Sequence, residues 1–401
     1  MVDRTHLYEN HVRKARIVDF AGWDMPVLFE TTGTIKEHMA VREGVGIFDA
    51  SHMGEFFVRG ENSAEFLNYV TSNDVNKLKL KQAQYSCVCN ERGAMKDDIM
   101  PYKLADDYFF LSTNAVNVNK LDAWFKCIIS FAKKTKPDFD VKIENKTHDY
   151  ALVSIQGPKA TETVQKLTDI PLNFKWNYIE PSAIIAGENV LLSHIGYTGE
   201  NGWEVWIEDT KTYHPDPAKR HPSRKVQKIY DAILEAGAEF DIVEAALGSR
   251  DTLRIEAGYT LYGTEAWEEQ LPSVAVDRTT PFEASLGFSV DLNKEMFIGK
   301  EALVKQKEEG LEKFIVRFEL LDRGVPRHGY EVRVGEHNIG EVTSGTMSPI
   351  RKVGIGLAFV NTEYSDIGSE FDIIIRGTPK KARVVEPPFY DTKRYGRKRM
   401  S

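Results

Sequence analysis

The feature that most constrains this chain is a change of pattern after Phe282. Beyond it, Phe314–Leu320, Tyr330–Val334, Ile339–Ser344, Gly354–Val360 and Phe371–Ile375 read as short strands parted by Gly-rich turns, the pattern of an all-β unit. Upstream, helical stripes and strands alternate, so a single all-β or all-α fold is excluded. With 401 residues, two to four domains are expected. Apolar residues at 42% and charged residues at 28% exclude wholesale disorder.

The upstream part reads as follows. The segment 34–44 carries a short helix, followed by a strand from Gly54 and a helix opened by Asn62 or Ser63, with Phe66, Leu67, Tyr69 and Val70 at helical spacing. Strands are predicted over Tyr85–Cys89, Asp97–Leu104 and Tyr108–Ser112, then a helix near Asn117–Ile129 with a Lys-rich solvated exit. Ala151–Ile155, Asn189–Ile195 and Trp203–Ile207 are further strands. Val226, Ile229, Tyr230, Ile233 and Leu234 form one helical stripe stopped by Gly237, and another helix is predicted over Val243–Ala257. Residues 209–225 form a polar insertion with five basic residues.

Net charge and motifs remove several functions. A formal charge of −8 argues against coating nucleic acid, and no run approaches the ~18 apolar residues of a membrane span. Met1–Arg16 lacks the apolar core of a secretory signal, and Cys87, Cys89 and Cys127 make an odd, low count suited to a reducing compartment. Gly44-Val45-Gly46 and Gly354-Ile355-Gly356 lack the third glycine of a dinucleotide fingerprint. Cys87-x-Cys89 has no second pair, so no metal site is expected.

Three positions carry polar groups into apolar surroundings. Asp97 and Asp98 are adjacent on a strand, so alternation sends them to opposite faces; the pattern does not say which one enters a pocket, and a solvated edge is the competing reading. Arg250 shares a helix face with Ala246, Leu247 and Leu253 and needs an acceptor there, an ordinary salt bridge being the alternative. Glu204, between Trp203 and Val205, can point inward after the turn Tyr197–Gly202. Such a carboxylate can accept two parallel N–H groups from a planar heterocycle.

The chain resembles the aminomethyltransferase family, the T protein of the glycine cleavage system. The likeness runs through Phe20-Ala21-Gly22-Trp23-Asp24-Met25-Pro26, Gly46-Ile47-Phe48-Asp49-Ala50-Ser51-His52-Met53 and Asn90-Glu91-x-Gly93-x-x-x-Asp97-Asp98. It continues in Gly196-Tyr197-Thr198-Gly199-Glu200-x-Gly202-x-Glu204, Arg250-Asp251-x-Leu253-Arg254-x-Glu256-Ala257-Gly258 and Ser344-Gly345-Thr346-Met347-Ser348-Pro349. The resemblance implies an α+β, three-domain cloverleaf around a central folate channel with a C-terminal β-barrel. Its expected division is 1–53 with 146–281, then 54–145, then 282–401 with a basic tail.

The resemblance also implies the chemistry. A one-carbon unit on the lipoyl arm of the H protein passes to tetrahydrofolate, a co-substrate, with loss of ammonia; no metal or tightly bound prosthetic group is implied. Asp98 rather than Asp97 matches the essential aspartate, and Glu204, Arg250 and Arg394 match folate-binding positions. Met53, Tyr85, Asn114 and Tyr197 are candidate pterin walls, ordinary core being the alternative reading for each. A cytoplasmic location is expected, or the mitochondrial matrix in a eukaryote. The basic tail from Lys393 and the insertion are candidate attractors for an acidic carrier, a solvated tail and loop being the alternative reading. Two other functions compete: a tetrahydrofolate-dependent demethylase acting on a small methylated donor, and a non-catalytic folate-binding protein.

Overall fold

The computed structural model describes residues 2–214, 216, 220–268 and 278–400. Its upstream part is built on two large sheets. The six-stranded one runs Tyr178–Ile185, Glu188–His194, Gly202–Glu208, Tyr150–Gln156, Gly46–Asp49, Val243–Ala245. The five-stranded one runs Ser86–Cys89, Met95–Ala105, Tyr108–Thr113, Gly54–Arg59, Lys142–Asn145. Alternation explains how they meet. Trp203, Val205 and Ile207 point to the helical side, where Val226, Ile229, Tyr230 and Ile233 of helix Arg224–Gly237 cover them. Trp206 points the other way, with its ring 5.7 Å from Tyr102 and 5.2 Å from Phe110 of the facing sheet. Ser223 starts that helix, its Oγ accepting from the Val226 amide at 3.1 Å.

The segment after Phe282 closes into a six-stranded barrel, ordered Lys313–Leu320, Gly354–Asn361, His337–Met347, Glu331–Val334, Glu370–Ile375, Thr378–Val384. Closure pairs both edges, which an open sheet of this length would leave bare. The fold is α+β with a C-terminal barrel, as expected. Helix Leu247–Ala257 joins the parts. Arg254 Nη2 donates to Ser344 Oγ of the barrel at 2.6 Å and its Nη1 to Glu265 at 3.0 Å, while Glu256 meets His38 and Arg42 of helix Gly33–Glu43.

Several expectations change. The helix predicted from Val243 begins at Leu247, because Val243–Ala245 pairs in parallel with Gly46–Asp49 and is held by the sheet. The helix predicted to end near Ile129 continues to Thr135; Lys133 and Lys134 lie in its last turn, where cations favour the carbonyl end. Strands Ala15–Phe20, Trp23–Phe29, Tyr178–Ile185 and Thr378–Val384 and helix Lys300–Glu309 are additions to the elements predicted from sequence. Residues 215 and 217–219 of the basic insertion lie outside the described residues.

Candidate active site

Between the two sheets lies a cavity of about 140 Å³ whose walls include Met53, Tyr85, Asp98, Asn114, Tyr197, Glu204 and Arg250. These residues come from distant segments. Strand Met95–Ala105 brings Asp98; its pairing of Met100 with Ser112, extended along the strands, sets Asn114 across from Asp98. Gly54 pairs with Thr113, so Met53 continues the same row. Tyr85 Oη donates to Asp98 Oδ2 at 2.5 Å and Asn114 Nδ2 to Asp98 Oδ1 at 3.0 Å. Burial nevertheless keeps the Asp98 carboxyl above its ordinary range, against the pull of those two donors.

Glu204 enters from the opposite wall. It pairs with Ser154 on one side and Ser193 on the other, and shares its face with Trp206 rather than with Trp203. Burial pushes its carboxyl up to about 7, and the Arg250 guanidinium acts in the opposite sense. Arg250 projects from helix Leu247–Ala257 and lies over Tyr197, 4.6 Å from the ring centroid. Tyr197 is held in turn by a hydrogen bond from its hydroxyl to the Thr260 carbonyl.

The turn ahead of Glu204 needs glycine at one point. Gly199 has φ +81°, and a Cβ there would come 2.4 Å from the Tyr390 hydroxyl. Tyr390 begins a C-terminal strap over this turn. The Arg397 amide donates to Gly199 O at 2.9 Å, the Gly396 amide to Glu200 Oε1 at 2.9 Å, and Arg399 Nη2 to Glu200 Oε2 at 2.6 Å.

Arg394 is not in the cavity. Its side chain is 70% exposed, 3.9 Å from Glu43 and over the Tyr395 ring, in a separate surface cleft. The strap turns residue 394 outward, whereas Tyr395 and Gly396 are buried and Arg399 reaches Glu200. Within the basic tail Arg399 is paired with Glu200 and Arg397 stacks over Trp176 at 4.2 Å, while Lys393, Arg394, Arg397 and Lys398 stay exposed. Sequence reasoning missed Tyr102 and Tyr262 as cavity walls. Tyr262 carries a signal, an aromatic between Leu261 and Gly263 just beyond the Arg250 helix. Tyr102 reads from sequence as ordinary strand core.

The cavity thus carries the Asp98 carboxyl on one sheet and the Glu204 carboxyl on the other, with the Arg250 guanidinium stacked on Tyr197 in its wall. Residues 7–294 match the GCVT N-terminal domain and residues 313–391 the glycine cleavage T-protein C-terminal barrel domain. The chain belongs to the glycine cleavage T-protein family. It is 49% identical over 397 residues to a probable aminomethyltransferase of Thermococcus kodakarensis, covering 99% of each chain. An aminomethyltransferase of a Thermoanaerobacter species is 42% identical over 389 residues, covering 96% of this chain and 97% of that one. The crystal structure of glycine cleavage system aminomethyltransferase T from Bartonella henselae superposes with a TM-score of 0.82 at 26% identity, covering 99% of this chain and 100% of that one.

Proposed function

We propose that this T-protein family member is the aminomethyltransferase that moves the one-carbon unit of an aminomethyl group, held on the lipoyl arm of H protein, to tetrahydrofolate. The reading rests above all on one cavity that unites Asp98, Glu204 and Arg250 from three separate segments. Products are ammonia, 5,10-methylenetetrahydrofolate and the reduced lipoyl arm. Two carbon–nitrogen bonds form on the folate while the bonds from that carbon to the amine nitrogen and to sulfur break. The two protons lost by the folate nitrogens are taken up by the leaving nitrogen and sulfur.

Each site residue has a part. Glu204 accepts the paired N–H groups of the pterin edge, the geometry a planar amidine-like donor needs. Arg250, pre-oriented on Tyr197, donates to an oxygen of the folate. Asp98 faces the reacting nitrogens and orients them; an acid lifted by burial holds and releases a proton closer to neutrality than a solvated carboxylate does. Met53, Tyr85, Asn114 and Tyr197 complete the walls.

The domain division of 1–53 with 146–281, 54–145 and 282–401 belongs to the same proposal. It is supported by the six-stranded sheet, which takes strands from both sides of the five-stranded one in sequence. Among the described residues no helix is long and apolar enough to cross a membrane. A cytoplasmic location accompanies the reading. The test is incubation of the protein with tetrahydrofolate and aminomethyl-loaded lipoyl carrier. Stoichiometric ammonia and methylenetetrahydrofolate are expected; neither appearing overturns the assignment.

A further inference from the structure

Asp97 is absent from the walls of the cavity, yet its carboxyl is fully buried one residue from Asp98. What it touches is specific. Its Oδ1 accepts from Asn114 Nδ2 at 2.8 Å and from Asn117 Nδ2 at 2.6 Å, and its Oδ2 from the Asn114 backbone amide at 3.2 Å. The same Asn114 Nδ2 also reaches Asp98 Oδ1 at 3.0 Å and the Asp98 carbonyl at 3.1 Å.

Three acceptor oxygens therefore surround one amide nitrogen. A flipped Asn114 would set its own oxygen against all three, which is strongly unfavourable in a buried site. Asp98 alone offers the amide two acceptors, but its carboxyl also faces the cavity and is drawn by Tyr85 and by any bound substrate. Asp97 has no such competing duty. It is held by Asn117 in the turn that opens helix Val118–Thr135, so it is a fixed anchor rather than a mobile one. With both amide hydrogens committed to the carboxyls, the carbonyl oxygen of Asn114 is the polar atom left to serve a ligand.

We propose that Asp97 is a positioning residue: it fixes the Asn114 amide so that its oxygen, not its nitrogen, is presented to the cavity beside Asp98, where it accepts a hydrogen bond from a substrate N–H. The inference rests on the aminomethyl-transfer reading, in which the cavity must orient nitrogens that carry hydrogens. Asn114 contacts the substrate and Asp97 acts only through it. An acceptor at this point aligns the nitrogen lone pair for attack and costs no reorganisation, because the amide is already turned.

A double-mutant cycle on the full-length protein tests this, with Asp97→Ala, which removes the acceptor oxygens, Asn114→Ala and the pair. Ammonia release gives kcat, tetrahydrofolate titration gives affinity, and thermal unfolding reports the fold. Each single change is expected to lower kcat by about 10–100-fold, with folate affinity within about threefold, and the double to be no worse than Asn114→Ala alone. Additive losses, or an Asp97→Ala enzyme with unchanged kcat, overturn the proposal while leaving the wild-type reaction intact. A wild-type protein that releases no ammonia overturns the functional reading and this inference together. Should Asp97→Ala fail to fold, Asn117→Ala removes the second donor from the same oxygen. Its smaller kcat loss must likewise disappear in the Asn114→Ala background, and persistence there sinks the idea.

Discussion

Arg399 donates through Nη2 to Oε2 of Glu200 at 2.6 Å, joining the end of the chain to the turn that leads into Glu204. Glu200 is fully buried, and Arg42 holds its other oxygen at 3.1 Å. Both cations serve the same carboxylate, so the strap is part of the site's support. Removing one leaves a buried charge under-paired.

Arg399→Ala is therefore expected to destabilise the protein by about 1–3 kcal/mol and to weaken folate binding several-fold, since the Tyr197–Gly202 turn loses its outer clamp. Thermal unfolding and folate titration read the two effects. An unchanged melting temperature would show the strap to be idle.

Asp98→Asn preserves shape and the contact with Asn114 in one amide orientation but cannot exchange a proton. Turnover should fall about 100-fold or more while folate binding stays within a few-fold. Full activity in the carrier-coupled assay would remove Asp98 from the chemistry.

Arg250 places a planar cation on Tyr197, which lysine cannot imitate. Arg250→Lys is expected to weaken folate binding by about tenfold and Arg250→Ala further still. Equal, wild-type affinities measured by titration would make Arg250 a purely structural residue.

Glu204 supplies a pH signature. Its folded pKa of about 7 lies above the unfolded carboxylate value, so the native state holds a proton more tightly than the unfolded one between the two. Stability from this group is fully present below the unfolded value and is lost as pH rises from there through about 7. Ligand N–H groups need the ionised form, so folate affinity should drop as pH falls below about 7 and level off above it. Glu204→Gln, which resembles the neutral acid, should raise the melting temperature at about pH 8 but not at about pH 4, and weaken folate binding at both. A variant less stable than wild type at the higher pH would contradict the assigned burial.

Local pattern reaches far in this chain. Glu204 is legible because strand alternation opposes it to Trp203 and Val205, and the helical spacing that puts Arg250 beside Leu253 survives the later start of its helix. The barrel is legible from its turns. Alternation separates Asp97 from Asp98 but does not say which faces a cavity, since that depends on the second sheet lying across the gap. Asn114 gives no local sign of its role, because its partner across the strands is set by register.

By itself, then, the sequence determined many of the elements and which side chains those turn to their two faces, because both follow from short-range periodicity. Only the tertiary structure decided that the face bearing Asp98 meets the face bearing Glu204, that Asp97 anchors Asn114 from behind, and that Arg399 is committed to Glu200 while Arg394 stays in solvent. Those outcomes depend on how sheets pack and where a tail settles. Packing is fixed by contacts between residues far apart in the chain, and no local repeat encodes them.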